Sequence, residues 1–341
     1  MKGQPTPEHA VGPDSFGSRD EPGSTSTSRA LSLPTTSQPF GANLEPVLHK
    51  ACGGRLSAIN WFRTDWQRGG ALTGYSQYRD DDGRNMPAMV KLPVPPSERL
   101  WLERLQVAGD VVPRLYAHGQ VLNGYDMVWV VMERLPHGPL GAAWQGRQFD
   151  LLIEAVGRFY KAAEKFAVDS PPPQRDWQAI LQTARKKVSE QALPDAHRWK
   201  KMLKTADSKL KSWLSVWNDR RVDHWCHGDL HLANAMARCP APGGPAVLID
   251  LALTRPGNWV EDAVYFEHLY WSRRQQLEGR HLCSEIARHR KQLGLPVDED
   301  WPRLAQIRRL LTAIATPADL QHDGNRQHLQ ATIELLEAEL G

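Results

Sequence analysis

Four polar side chains in the second half of the chain have types and spacing suited to chemistry on a phosphate. Asp229 follows His227 by two residues, Asn234 follows Asp229 by five, and Asp250 comes directly after the apolar residues 247–249. A carboxylate can accept a hydrogen bond from an attacking hydroxyl, while an amide oxygen and a second carboxylate suit hard Mg²⁺. The set predicts phosphoryl transfer, in which the protein mainly positions groups and neutralises charge.

The same spacing is typical of kinase catalytic loops. These loops carry a base Asp two residues after a His, a metal-binding Asn five residues later, and a second metal-binding Asp on the next strand. We therefore expect Asp229 to act as the base, and Asn234 and Asp250 to hold Mg²⁺. His227 is expected to be structural, with its ring bonded to the loop or to the strand before Asp250.

His227 and His231 allow a rival interpretation, because they lie four residues apart with Asp229 between them. On a helix this spacing would place both imidazoles on one face, as zinc ligands. Gly228 favours a loop instead, and the sequence offers no obvious third ligand. A metal-dependent hydrolase that uses His227 and His231 stays the alternative.

A single lysine in an apolar run is a second candidate. Residues 88–92 predict a strand that carries Lys91, and Glu98 opens the amphipathic residues 98–107. The plainer interpretation is a solvent-facing Lys on an edge strand. The sharper one is a Lys that holds nucleotide phosphates, steadied by a Glu on the following helix. Glu103 competes with Glu98 for this role, but the two cannot both face Lys91.

Gly69 and Gly70 separate two predicted strands, residues 56–62 and 71–79. Glycines at such a turn let the backbone approach phosphates, as the glycine-rich lid of kinases does. Ordinary hairpins use the same residues. The pair is therefore a candidate nucleotide-binding lid.

A hinge is predicted after the next apolar run. Residues 128–135 are apolar and end in charge, which indicates the last strand of a small sheet and its exit. The backbone there could hydrogen-bond adenine, so Met132, Glu133 and Leu135 are candidate nucleotide-binding residues. A central strand with an ordinary exit turn would give the same pattern.

Composition divides the chain into three parts. Residues 1–45 are rich in Gly, Pro, Ser and Thr and lack apolar periodicity, which predicts a disordered tail. Residues 46–135 are strand-rich and form the predicted N-terminal, nucleotide-binding lobe. Residues 136–341 show helical periodicity and form the predicted C-terminal lobe, with the catalytic loop and the substrate site. The expected fold class is α+β.

Charge and hydropathy exclude several partners. Lys and Arg total 42 against 39 Asp and Glu, a net charge of +3, which predicts no general attraction to nucleic acid or to a membrane surface. No stretch of ~20 apolar residues and no signal region is recognisable. We expect a cytoplasmic protein that acts on a small molecule. The sequence carries no signal for its oligomeric state.

Three segments together resemble one family. Residues 227–234, 248–250 and 262–265 are similar to motifs of the aminoglycoside phosphotransferase and choline kinase-like family. This family has a two-lobed, protein-kinase-like fold, with a small antiparallel sheet and one helix in the N-terminal lobe and a larger, mostly helical C-terminal lobe. The resemblance covers about residues 47–340.

The resemblance implies ATP-dependent transfer of the γ-phosphate to a hydroxyl of a small molecule, such as an amino alcohol, an aminoglycoside or a sugar-like compound. GTP is the alternative nucleotide, and Mg²⁺ is the implied metal. Asp262 resembles a further family Asp that braces the catalytic loop. Besides the hydrolase, a catalytically inactive kinase-like binding protein stays open as an alternative.

Overall fold

The computed structural model describes residues 37–62, 71–142, 147–191, 193–240, 243–319 and 326–341. The described chain divides into two compact units. Residues 37–155 and 232–253 belong to the first unit, and residues 156–231 and 254–341 belong to the second.

An antiparallel sheet forms the centre of the first unit. Its strands are β1 (Asn60–Phe62), β2 (Leu72–Arg79), β3 (Asn85–Leu92), β4 (Leu115–Leu122) and β5 (Tyr125–Glu133), in the spatial order β1-β2-β3-β5-β4. Lys91 on β3 pairs with Thr73 on one side and Val130 on the other. Lys91 therefore lies on a central strand, and the interpretation as an edge-strand lysine was wrong.

The two faces of the sheet differ because side chains alternate along a strand. Val90 and Leu92 flank Lys91 and are fully buried in a cluster that also contains Trp129 and Val131. Lys91 consequently points to the opposite face. This alternation separates the apolar core from the face that carries charge.

Two helices belong to the N-terminal part of this unit, whereas the family resemblance implied one. The helix α1 (Ser37–Ala51) begins inside the predicted disordered tail, so that prediction was wrong for residues 37–45, and residues 1–36 lie outside the described part. The physical reason is the spacing of Leu44, Val47 and Leu48, which forms one apolar helix face that packs on the sheet cluster.

The second helix, α2 (Pro96–Leu105), starts with a proline, whose fixed backbone angle suits the first helical turn. Its buried residues Trp101, Leu102 and Leu105 anchor it. Glu98 lies in the first turn and is also buried, with 2% of its surface exposed.

Four short strands form two further antiparallel pairs. They are β6 (His224–Cys226), β7 (Ala235–Ala237), β8 (Ala246–Leu248) and β9 (Arg255–Gly257), and β6 pairs with β9 while β7 pairs with β8. The pair β7–β8 belongs to the first unit, although the sequence assigned residues 232–253 to the C-terminal lobe. Its backbone explains this: the Leu248 N–H donates to the Val111 carbonyl (2.9 Å), and Ala237 pairs with His137.

Helices dominate the second unit. The remaining α-helices in the described ranges are α3 (Gln148–Ala163), α4 (Trp177–Glu190), α5 (Ala196–Asn218), α6 (Val260–His268), α7 (Leu282–Gln292), α8 (Trp301–Asp319) and α9 (Arg326–Leu340). A large apolar cluster that includes Trp199, Trp213, Leu311 and Leu336 joins α4, α5, α8 and α9. The α+β class is confirmed. Within the described ranges, every helix is too short or too polar to cross a membrane.

Candidate active site

Lys91 lies between two carboxylates of the first unit. Its Nζ is 2.7 and 2.9 Å from the two carboxylate oxygens of Glu98 and 3.5 Å from Oδ1 of Asp250. Glu103 is instead 2.6 Å from Arg99, one helical turn away on α2. Of the two acidic residues that competed for Lys91, Glu98 is the one that contacts it.

Burial sets the electrostatics of this pair. Burial alone would lower the pKa of Lys91, but the charges of Glu98 and Asp250 outweigh it and the pKa is raised. Burial raises the pKa of Glu98, and the attraction of Lys91 offsets only part of that rise. The lysine is therefore held in its charged form, with a fixed buried counter-ion on one side and the half-exposed Asp250 on the other.

Asp250 and Asn234 are brought together by the β7–β8 pair. Asn234 comes just before β7, Asp250 comes two residues after β8, and the Ile249 N–H donates to the Asn234 carbonyl at 3.0 Å. Asp250 has a left-handed backbone with φ of 58°. For a residue other than glycine this conformation is uncommon, and it is often maintained at functional positions.

This arrangement fits a hard cation. An amide oxygen and a carboxylate are the donor types that Mg²⁺ accepts from proteins, usually one or two protein ligands with water and phosphate completing the shell. Asn234 is 7% exposed, and the side chain of Asp250 is 45% exposed. Asn234 and Asp250 are thus the residues of this unit that could hold Mg²⁺.

Asp229 belongs to the second unit, where two side chains contact its carboxylate. The Tyr265 hydroxyl donates to Oδ1 at 2.5 Å, and Nε2 of His231 lies 3.5 Å from the same oxygen. A quarter of the Asp229 side-chain surface is exposed. The carboxylate is therefore oriented by neighbours and also accessible from outside.

The loop before Asp229 is held by one buried carboxylate. Asp262, on α6, accepts from the backbone N–H groups of His227 (2.8 Å) and Gly228 (2.9 Å), and from the Tyr160 hydroxyl (3.0 Å). Gly228 has φ of 86°, a conformation that side-chain-bearing residues rarely adopt. The glycine thus lets two successive N–H groups turn toward Asp262.

His227 bonds within the same loop. Its ring is fully buried, and the Asp229 N–H lies 3.3 Å from Nδ1. The zinc interpretation would need His227 and His231 to share a metal ion with a third ligand. In the described stretches, no group of three or more His, Cys, Asp and Glu residues is arranged to hold a metal ion.

The hinge candidates lie at the end of β5. Met132 and Leu135 are buried, and the Glu133 N–H donates to the Arg114 carbonyl at 2.8 Å. The Glu133 carboxylate is bound by Arg238 at 2.8 and 2.7 Å. That ion pair involves residues 105 positions apart, and no local spacing predicts it. Gly69 and Gly70 lie outside the described residues.

Tyr160 was not singled out from the sequence, and Tyr265, which belongs to the 262–265 motif, was not predicted to contact the catalytic loop. The contact between Tyr265 and Asp229 spans 36 positions. One signal was available: Asp262 and Tyr265 are three residues apart, so on a helix they share a face. A prediction that Asp262 braces the loop therefore places Tyr265 toward the loop as well.

Several solved structures with similar folds are small-molecule kinases and phosphotransferases. An aminoglycoside phosphotransferase from Alicyclobacillus acidocaldarius is 18% identical and has a TM-score of 0.56, with 92% of this chain and 96% of that chain covered. A microcompartment-associated aminopropanol kinase is 16% identical, with a TM-score of 0.55 and coverage of 88% and 95%. These likenesses show a protein-kinase-like fold.

A third structure is a thermostable mutant of an aminoglycoside phosphotransferase in a ternary complex with ADP and hygromycin B. It is 12% identical, with a TM-score of 0.52, and 87% of this chain and 98% of that chain are covered. No curated protein sequence matches the chain significantly.

The family model of the phosphotransferase enzyme family (APH) matches residues 72–307. Because the match extends over well more than half of the 341 residues, the chain belongs to this family. It is a small-molecule kinase. The resemblance and the fold class predicted from the sequence are both confirmed.

Proposed function

We propose that the protein transfers the γ-phosphate of ATP to a hydroxyl of a small molecule, with Asp229 as the base. The observation that supports this most directly is the position of Lys91, 2.7 Å from the buried Glu98 and 3.5 Å from the half-exposed Asp250. A charged lysine beside an accessible carboxylate provides one group for phosphate oxygens and one for the metal that neutralises them.

Glu98 fixes Lys91, and Lys91 binds phosphate oxygens of the nucleotide. Asn234 and Asp250 would hold Mg²⁺, which would supply positive charge to neutralise the nucleotide phosphates. Met132, Glu133 and Leu135 at the end of β5, together with Gly69 and Gly70, are proposed to contact the nucleotide. GTP is the alternative nucleotide, because none of these contacts selects a base.

Asp229 accepts a hydrogen bond from the acceptor hydroxyl and directs it at the phosphorus. In a loose transition state this orientation matters more than full removal of the proton. Asp262 holds the loop backbone and Tyr265 contacts the Asp229 carboxylate. The Asp229 carboxylate therefore needs little reorientation when the acceptor binds.

The acceptor class is proposed to be an amino alcohol, an aminoglycoside or a sugar-like alcohol. Two of the similar structures support this range, since their names describe an aminopropanol kinase and a phosphotransferase bound to hygromycin B. We retain the cytoplasmic location expected from the sequence.

The test combines purified protein with MgATP and a panel of amino alcohols, aminoglycosides and sugars, and measures ADP release and phosphorylated product. We expect Asp229→Ala to abolish transfer while ATP affinity, measured by calorimetry, changes by less than threefold. Asp250→Ala should weaken MgATP binding itself. Asp207→Asn, which alters an exposed carboxylate bound to Arg185, is the matched surface control.

Three results would count against the proposal. Full transfer activity in Asp229→Ala would remove Asp229 as the base. Bound zinc in the purified protein, with loss of that metal in His231→Ala, would favour the hydrolase. Tight MgATP binding without turnover on any acceptor would favour an inactive binding protein.

A further inference from the structure

The hydroxyl of Tyr265 contacts the proposed base directly, since it donates a hydrogen bond of 2.5 Å to Oδ1 of Asp229. From this contact we infer that Tyr265 is a positioning residue for phosphate transfer, which fixes the direction of the Asp229 carboxylate. The inference rests on the proposed function of Asp229.

Helix α6 holds the catalytic loop at two levels. Asp262 and Tyr265 are three residues apart and share one helix face. Asp262 holds the backbone N–H groups of His227 and Gly228, and one turn further along Tyr265 holds the side chain of Asp229. The loop backbone and the Asp229 carboxylate are therefore both held by α6.

The chemistry of the contact permits only one direction of donation. Burial, together with the nearby Asp229 charge, raises the pKa of Tyr265 above its ordinary value, so the phenol stays protonated at neutral pH. A carboxylate has two oxygens and about four acceptor positions. A donor on Oδ1 therefore leaves acceptor capacity for a substrate hydroxyl while it prevents free rotation of the group.

A different reading of the same contact predicts the opposite kinetics. If the Tyr265 hydroxyl occupied the place of the acceptor hydroxyl, it would have to leave before each turnover. Removing it would then speed the reaction and tighten acceptor binding. A positioning role requires a slower reaction with nearly unchanged binding.

The experiment compares Tyr265→Phe with Tyr270→Phe. The control removes a hydroxyl just beyond α6, from a ring that packs edge-on against Phe266 at 5.7 Å. We expect kcat of Tyr265→Phe to fall roughly 10- to 100-fold, since a hydrogen bond to a charged group is lost. The KM values for ATP and acceptor should change less than threefold, and Tyr270→Phe should match the unsubstituted protein. An unchanged or higher kcat in Tyr265→Phe overturns the inference.

A second measurement does not depend on turnover. The carboxyl carbon of Asp229 is followed by NMR against pH in protein labelled at aspartate, and Asp229→Asn identifies its signal. The titratable groups beside this contact are His231, which lies 3.5 Å from the same carboxylate oxygen, His227, whose ring accepts from the Asp229 N–H, and Asp262, whose charge acts on Tyr265. Loss of the Tyr265 donor should raise the pKa of Asp229.

The two measurements distinguish an error in the proposed function from an error in the positioning role of Tyr265. An unsubstituted protein that phosphorylates no acceptor contradicts the proposed function. An Asp229 titration that is identical in the unsubstituted protein and in Tyr265→Phe contradicts the positioning role, whatever the acceptor.

Discussion

Asp262→Asn should weaken the attachment of the catalytic loop to α6, although the two side chains have almost the same shape. In the native carboxylate, Oδ2 accepts from the His227 N–H and the Tyr160 hydroxyl, and Oδ1 accepts from the Gly228 N–H. An asparagine has only one acceptor oxygen, and its NH₂ group is a donor. Whichever way the amide is turned, at least one loop N–H group faces another donor.

This geometry indicates how much stability and activity the variant should lose. The less damaging orientation keeps both bonds of Oδ2 and loses the bond from Gly228. A lost hydrogen bond to a charged group, with its donor left partly buried, should reduce the free energy of unfolding by about 2–3 kcal/mol. If the loop shifts by ~1 Å, kcat should fall on the order of 100-fold.

Urea denaturation and steady-state kinetics measure the two effects. Tyr160→Phe is the matched control, because it removes one donor from Oδ2 and leaves both loop N–H bonds in place. We expect it to cost about 1 kcal/mol and to reduce kcat much less than Asp262→Asn does. An Asp262→Asn protein with native stability and kcat, or equal kcat losses in the two variants, would show that Asp262 does not hold the loop in its catalytic position.

Two further predictions concern charge. Glu98→Gln should weaken MgATP binding tenfold or more, because Lys91 loses its buried counter-ion. The control Glu103→Gln should bind MgATP with an affinity within twofold of that of the unsubstituted protein. Equal affinities for all three proteins, measured by calorimetry, would contradict the role of Glu98. Burial lowers the pKa of His328 to about 4, below its usual 6.5, so the unfolded chain takes up this proton first. The contribution of His328 to stability is therefore present above pH 6.5 and lost as the pH falls toward 4. His328→Phe should flatten the pH dependence of the unfolding free energy by up to ~1.4 kcal/mol per pH unit between pH 4 and 6.5, and an unchanged slope would contradict this.

Local pattern was enough to predict much of the fold. The apolar run around Lys91 correctly indicated a strand, and the helical periodicity of residues 136–341 agrees with helices such as α8 (Trp301–Asp319). The strand β4 was not predicted. Its pairing with β5 shifts register between Leu115 and Ala117 and again between Gly119 and Val121, so the two-residue period is interrupted.

The candidate site was predictable where its residues are close in sequence and not where they are distant. Asp229, Asn234 and Asp250 follow a local spacing that can be recognised in a single sequence. The contacts of Tyr265 with Asp229 and of Arg238 with Glu133 depend on tertiary packing, which brings together residues 36 and 105 positions apart. No spacing rule links such pairs before the helix and strand positions are known.

The acidic residues of α6 beside Tyr265 have a consequence for acceptor selectivity. Glu261 is bound by Arg220 and Arg255, and Glu267 is bound by Arg309. These arginines act as tethered competitors at a high effective concentration, so a polyamine would have to displace them before either glutamate could bind it. Neither glutamate is therefore a ready anionic partner for a cationic acceptor.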